Sequence, residues 1–332
     1  MRDASGLSEM KRSAARALVA TIVVAASTRA SAAPSSLPPE VGYNYGQIES
    51  PRIAALGGAL RASSNSTEAL FINPANMATS RVYHIGALAQ IWPEASRQTY
   101  GLGIVDSIVS ASRLAGGLAG TFSRQDPEGV DRTDFDVRFA LAYPFSEHFF
   151  MGASGHYLSL KQSGFPKGIY QLGPSQAAAG TPDSAIVQGI TFDAGMTLKP
   201  ADEFALSLVG YNLTDPGTGF QPLMFGGGAS YGTKDFSIEA DALGDFTTYD
   251  TGKVRVMAGG EFLAGDHFPL RAGYRFDQGP LSHTISGGFG YIDKAYTIDF
   301  AIGRVVSGGS ATIITIGFKY HVESTGMAAE PE

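Results

Sequence analysis

The chain contains no cysteine, a single tryptophan and few charges, and none of its hydrophobic stretches is long. Without cysteine there can be no disulfide, no thiolate-held zinc or iron–sulfur cluster and no lipid-modified N-terminal cysteine, so the fold rests on backbone hydrogen bonds and packing. Charged residues are only 17% of the 332, lean for a water-soluble protein. Beyond residue 32 no apolar run approaches the ~18 residues of a transmembrane helix, because glycine interrupts nearly every one. What is plentiful is 42 glycines, 20 phenylalanines and 14 tyrosines, the composition of many short strands joined by tight turns.

Residues 1–32 read as a signal peptide. Lys11, Arg12 and Arg16 precede an apolar run from Ala17 to Ala26, and the small residues Ala30, Ser31 and Ala32 predict cleavage before Ala33. Met10, followed by Lys11 and Arg12, is a more ordinary start than Met1. The apolar run is about half of the ~20 residues that an anchor helix needs. Removing this segment takes away five basic and two acidic residues and leaves 19 basic against 29 acidic, which gives nucleic acid no basic surface to bind.

The remaining chain has a period of two. Phe135, Val137, Phe139, Leu141 and Tyr143 alternate with Asp136, Arg138, Ala140 and Ala142, so one face of the ribbon is bulky and apolar and the other small or charged. The pattern returns at Val254–Phe262, Leu270–Phe276, Tyr296–Ile302 and Ile314–Tyr320. A soluble sandwich also alternates, but three features favour a membrane barrel. Aromatic residues sit at strand ends on the apolar face (Tyr83, Phe122, Tyr143, Phe149, Tyr157, Tyr231, Phe276, Tyr291, Tyr320), as interfacial girdles do. The opposite face carries Asp136, Arg138, His156, Asp193, Glu239, Asp241, Arg255, Glu261, Arg271, Arg275, Asp299 and Lys319, more ions than a dry core tolerates. Finally, short joints (near 106–110, 144–148, 199–203, 232–235, 264–267 and 293–294) alternate with longer ones (123–132, 161–184, 212–222 and 244–252). Short periplasmic turns and longer external loops produce that parity. The expected fold class is therefore an all-β transmembrane antiparallel barrel of about fourteen strands over residues 81–320, with a 321–332 tail.

Residues 33–80 do not fit the strand pattern. The Pro- and Ser-rich stretch 33–40 reads as a flexible lead. Residues 41–80 hold Ala54–Ala62 (AALGGALRA), a polar run Ser63–Thr67 and Glu68–Met77 (EALFINPANM), short helical or irregular pieces around a turn at Asn73 and Pro74. Such a segment suits a plug inside the lumen.

The run from Arg52 to Ala78, with Asn73, Pro74 and Ala75, resembles the N-terminal hatch of the long-chain fatty acid transporter (FadL) family of outer-membrane barrels and its shuttle-protein relatives in type IX secretion. Asn76 stands where that family usually has glycine, and the expectation is that asparagine keeps the turn through a left-handed backbone. YNLTDPG at Tyr211–Gly217, PLRAGYRFD at Pro269–Asp277 and HTISGGFGYIDKAYTIDFAIG at His283–Gly303 look similar too. The resemblance implies a fourteen-stranded monomer in the bacterial outer membrane, both termini periplasmic, plugged by the hatch. Its implied partners are outer-membrane lipid and a hydrophobic, fatty-acid-like ligand that leaves through a gap in the wall. The shuttle relatives imply a second reading, a non-transporting scaffold for secreted proteins.

The third strand carries Gly116, Gly117 and Gly120, where a kink or bulge would open the wall; the alternative is that glycine only eases curvature. In the longest loop Phe165, Ile169, Tyr170 and Leu172 form a candidate capture surface, or belong to an ordinary loop. No catalytic constellation is visible. Ser154 and His156 share a face without a nucleophile motif around them, and Gly287, Gly288 and Gly290 lack the lysine and the helix of a phosphate loop. No enzyme activity, metal or cofactor is expected.

Overall fold

Ribbons with one bulky and one small or charged face can satisfy both faces by closing into a ring, and fourteen strands do so here. A computed structural model describes residues 48–108, 113–125, 131–163, 184–216, 220–249 and 251–322. Residues 1–47, most of the 321–332 tail, and the loop residues Phe165, Ile169, Tyr170 and Leu172 lie outside the described residues. The strands are β1 Tyr83–Trp92, β2 Arg97–Asp106, β3 Ala115–Gln125, β4 Asp131–Pro144, β5 Phe149–Ser163, β6 Ser184–Ala201 and β7 Phe204–Tyr211. They continue as β8 Met224–Gly232, β9 Phe236–Asp245, β10 Lys253–Ala264, β11 Phe268–Asp277, β12 Ser282–Ile292, β13 Tyr296–Ser307 and β14 Thr312–His321. Each pairs antiparallel with its chain neighbours, and β1 closes on β14 from His84 opposite His321 to Ile91 opposite Ile314. Among the described strands no free sheet edge remains, as an environment without water demands. No helix among the described residues is long and apolar enough to cross a membrane.

The two faces separate as their period predicts. Leu102, Phe139 and Ile190 are 66%, 51% and 63% exposed on the outside, while Asp136, Arg138 and Ala140 are buried on the inside. A soluble protein would not leave such a belt of Phe, Leu and Ile unpartnered. The belt belongs against lipid, with Tyr143, Tyr231 and Tyr320 exposed near its margins.

The lumen is filled by residues 48–80. Helix α1, Pro51–Ala55, begins with proline at its first turn and with Ser50 as N-cap, whose hydroxyl accepts from the Ile53 N–H at 3.4 Å. It ends at Gly57, whose φ of +67° suits glycine. Helix α2, Ser66–Ile72, stops because Asn73 precedes a proline and is driven into extended geometry. Pro74–Ala78 then forms a short 3-10 helix whose N-cap is the Asn73 side chain, accepting from the Ala75 N–H at 3.1 Å. Every residue of α2 and of the 3-10 helix is buried.

Candidate functional site

The contact between plug and wall is where the inward residues converge. Its first component is space. Glycines on the inner face give the plug backbone room to lie flat on the strands. A Cβ on Gly273 of β11 would overlap the backbone of Leu56 and Gly57, one on Gly195 of β6 would overlap the Asn73 side chain, and one on Gly317 of β14 would stand 2.9 Å from Pro51 Cγ. A Gly273→Val variant is therefore expected to insert as a barrel but to expel the first half of the plug, seen as new protease cleavage within residues 48–65 of the otherwise resistant protein.

The second component is charge, and each wall ion named here meets a specific partner. On β9, Asp241 Oδ2 accepts from the backbone N–H of Leu60 and Arg61 at 3.0 and 3.1 Å and from Arg61 Nη1 at 3.1 Å. Two residues earlier, Glu239 accepts from the N–H of Ala62 and Ser63 at 2.6 and 3.0 Å and from the Ser63 hydroxyl. Two carboxylates thus grip four successive plug amides, and the absence of a Cβ on Gly228 of β8 leaves the Asp241 carboxylate its room. Arg52 of α1 makes a bidentate pair with Glu261 at 3.1 and 3.1 Å. Glu261 also receives Arg271, whose other nitrogen reaches Asp299 at 2.6 Å. Lys319 holds Glu68 of α2 at 2.8 and 2.9 Å, and Arg275 holds Glu49.

Five predicted inward residues, Arg255, Arg138, Asp136, Asp193 and His156, serve the wall itself. Arg255 pairs with Asp277 at 2.7 Å. Arg138 bridges Asp136 at 2.9 Å and Asp193 at 3.3 Å, while His156 sits between the Asp136 carboxylate at 3.0 Å and the Asn212 amide oxygen at 3.1 Å. The Ser154 hydroxyl donates to Asp193 at 3.2 Å, not to His156, so the arrangement is a structural network rather than a nucleophile and its base. The Arg138 guanidinium ties it to the plug, 5.6 Å from the centre of the Phe71 ring. Among the described residues no three His, Asp or Glu side chains are grouped to hold a metal.

The Asn-Pro-Ala-Asn motif acts differently from its sequence reading. Asn76 lies in the 3-10 helix and is not among the residues with positive φ, so the left-handed turn expected of it does not occur. Its side chain does the work instead. Asn73 and Asn76 both donate to the Arg61 carbonyl, at 2.8 and 3.0 Å, and so clamp the two halves of the plug together. Asn73 also donates to the Thr197 hydroxyl of β6 at 3.0 Å, and that hydroxyl donates to the Asn76 side chain. Asn76→Gly, which restores the commoner residue of the resembled family, is expected to cost about 2–4 kcal/mol by leaving buried partners unpaired. The unfolding midpoint in detergent reads that loss.

The glycines of β3 also have a different setting. β3 pairs in unbroken register with β2 from Arg97 opposite Gln125 to Asp106 opposite Gly116, and with β4 from Ala115 opposite Ala142 to Gln125 opposite Arg132. No register shift falls in these pairings of β3; among the described pairings the shifts are at Leu160/Lys161, Leu198/Ala201 and His283/Thr284. Gly117 faces inward as the seat of Leu70 and Met77, whereas the alternation sends Gly116 and Gly120 outward, and a Cβ at Gly120 would meet nothing within 4 Å.

Among the described residues, small cavities lie where plug meets wall. One, of about 30 Å³, lies behind Phe71, Thr67, Glu68 and Pro51 against β14, β1 and β2, where Gly86, Gly101, Gly103 and Gly317 line it. Another, of about 20 Å³, lies between Ile53, Arg61, Phe71, Tyr211, Arg255 and Met257. Each has room for about one water.

The apolar belt, the closed ladder and the filled lumen define the class: a plugged transmembrane β-barrel of the bacterial outer-membrane type. No protein-family model matches the sequence, and no curated protein matches it. Solved structures do. A CymD monoaromatic hydrocarbon channel superposes with a TM-score of 0.63 at 16% identity, over 85% of this chain and 99% of that one. The Ralstonia pickettii toluene transporter TbuX gives 0.60 at 14%, over 84% and 100%. A Pseudomonas aeruginosa FadL homologue gives 0.57 at 15%, over 87% and 99%. In fold, the chain is a FadL-like barrel.

Proposed function

We propose that this protein carries uncharged hydrophobic small molecules across the outer membrane, and that the plug is the barrier that must shift for them to pass. In this reading the long-loop end faces outward, both chain ends face the periplasm, and the barrel works as a monomer. The observation that carries it is the filled lumen. Described lumen cations such as Arg61, Arg271, Arg275 and Lys319 are matched by carboxylates, and the cavities described above admit about one water each. An ion or polar solute would give up its hydration with no free partner inside, whereas an apolar molecule loses no hydrogen bonds on entering. The shared fold with a hydrocarbon channel and a toluene transporter supports the same reading. A fatty-acid carboxylate fits less well, since it would compete with Glu68 for Lys319. Exit sideways past β3 would require Leu70 to withdraw from Gly117.

The test is uptake of labelled toluene, long-chain fatty acid and a polar sugar by outer-membrane transporter-deficient cells, with and without the gene. Toluene uptake is expected to rise several-fold and sugar uptake to stay unchanged. Unchanged toluene uptake together with altered secreted proteins would replace this reading with the scaffold.

A further inference from the structure

The barrel closes by pairing its first strand with its last, and at one end of that seam His84 of β1 stands directly opposite His321 of β14. The Val322 N–H donates to the Tyr83 carbonyl at 2.8 Å, which makes 83 and 322 a hydrogen-bonded pair. The next pair along, His84 and His321, is therefore of the non-hydrogen-bonded kind, in which facing side chains come closest. Their imidazole rings stack with centroids 4.4 Å apart and planes 28° from parallel. The chain's other four histidines have different neighbours. His156 lies between Asp136 and Asn212, His267 stacks on Tyr291, His283 meets the Tyr274 hydroxyl, and His148 is exposed in the turn between β4 and β5.

We propose that His84 and His321 form a binding site for one divalent transition-metal ion, which clasps the first strand of the barrel to the last. The inference goes beyond the transport reading and does not depend on it. Imidazole nitrogen is a ligand for Cu2+, Ni2+ and Zn2+. A ligating histidine holds its second ring nitrogen, as N–H, on an oxygen acceptor, which fixes the tautomer and keeps the other lone pair for the metal. Both rings have such an acceptor. The Lys294 carbonyl can only accept, so the His321 Nδ1–H donates to it at 3.2 Å. Nε2 then carries the lone pair of the neutral ring, and the Thr297 hydroxyl donates to it at 3.1 Å. Nδ1 of His84 lies 2.6 Å from the Ser66 hydroxyl oxygen, which can accept its proton and leave the lone pair on Nε2. Metal–imidazole bonds of about 2.0–2.1 Å let one ion join nitrogens about 3–4 Å apart, within reach of two rings stacked at 4.4 Å after small side-chain rotations. Charge does not oppose the ion, because Lys319, two residues before His321, is neutralised by Glu68 at 2.8 and 2.9 Å. Both histidines are half-buried, open enough for the waters that complete the coordination. Among the divalent ions, copper binds such a nitrogen pair more tightly than nickel or zinc, and Ca2+, which takes oxygen ligands, does not bind it.

The experiment uses the full-length protein, without a histidine tag, folded in detergent. Cu2+, Zn2+ and Ca2+ are titrated into wild type, His84→Ala, His321→Ala, the double variant and His148→Ala. Wild type is expected to take up one Cu2+ at the seam, with a paramagnetic resonance spectrum showing two nitrogen ligands. Cu2+ and Zn2+ should also raise its unfolding midpoint, reversibly on adding a chelator, because the site exists only in the folded barrel. Loss of either seam imidazole should weaken Cu2+ binding at least tenfold and abolish the rise in midpoint, whereas His148→Ala should change neither. Copper held as tightly by the double variant as by wild type, or a wild-type spectrum with a single nitrogen, overturns the proposal. If an alanine variant fails to fold, His84→Gln and His321→Gln, which keep a hydrogen-bonding side chain without an imidazole, take its place. Undiminished copper binding by these variants overturns the proposal equally.

Discussion

Replacing Glu239 and Asp241 together by alanine is expected to turn a silent barrel into one that conducts ions. The two carboxylates accept from four consecutive plug amides, the Ser63 hydroxyl and the Arg61 guanidinium. Without them Arg61 is a buried cation with no counter-charge, and breaking a buried pair in this way costs about 3–5 kcal/mol. Four backbone donors lose their acceptors as well, at about 1–3 kcal/mol each. The wall is untouched, because β9 keeps its backbone ladder to β8 and β10. The first half of the plug should then leave its seat for much of the time. In planar bilayers wild type should pass no steady current, and the double variant should show frequent openings. A variant as silent as wild type would mean that the plug is held by its packing alone.

The second large effect is a reversible lock. The ideal Cβ of Gly86 on β1 would lie 3.5 Å from Thr67 Cβ on α2, within the separation that a disulfide spans. With no native cysteine in the chain, a Thr67→Cys/Gly86→Cys variant forms one defined cross-link. It fixes α2, and with it Phe71, to the wall. If hydrocarbon passage requires the plug to shift, oxidation should bring uptake down to the level of cells lacking the protein, and a reductant should restore it. Uptake that persists with the cross-link verified by mass would show that molecules pass without any movement of α2.

Much of the barrel was readable because strand geometry imposes a period of two, and lipid and plug demand opposite chemistries on the two faces. Along β4, Phe135 to Tyr143 and their partners Asp136 to Ala142 each point where alternation puts them. Joint lengths fixed the hairpin order for the same reason, since antiparallel neighbours need only a short connection. The plug was legible only as a departure from that period. Its own charged residues Glu49, Arg52, Arg61 and Glu68 leave no local signature, because their partners stand 180 to 251 residues away and no local spacing reports such pairing. Asn76 was misread because a motif comparison suggested backbone geometry where the side chain does the work. Glycine in a strand signals either a weak ladder or a close neighbour, and at Gly117 only the position of Leu70, 2.5 Å from where a Cβ would stand, shows the close neighbour.

The most direct test of the account is a spin-label scan of β4. Single cysteines at positions 135 to 142 are labelled in liposomes, and the accessibility of each label to oxygen and to a water-soluble nickel chelate is measured. Labels at Phe135, Val137, Phe139 and Leu141 should be reached by oxygen as lipid-facing sites are, while those at Asp136, Arg138, Ala140 and Ala142 should be shielded from both reagents by the plug. Ready access of the nickel chelate to the second set would show an open, water-filled lumen and contradict the account.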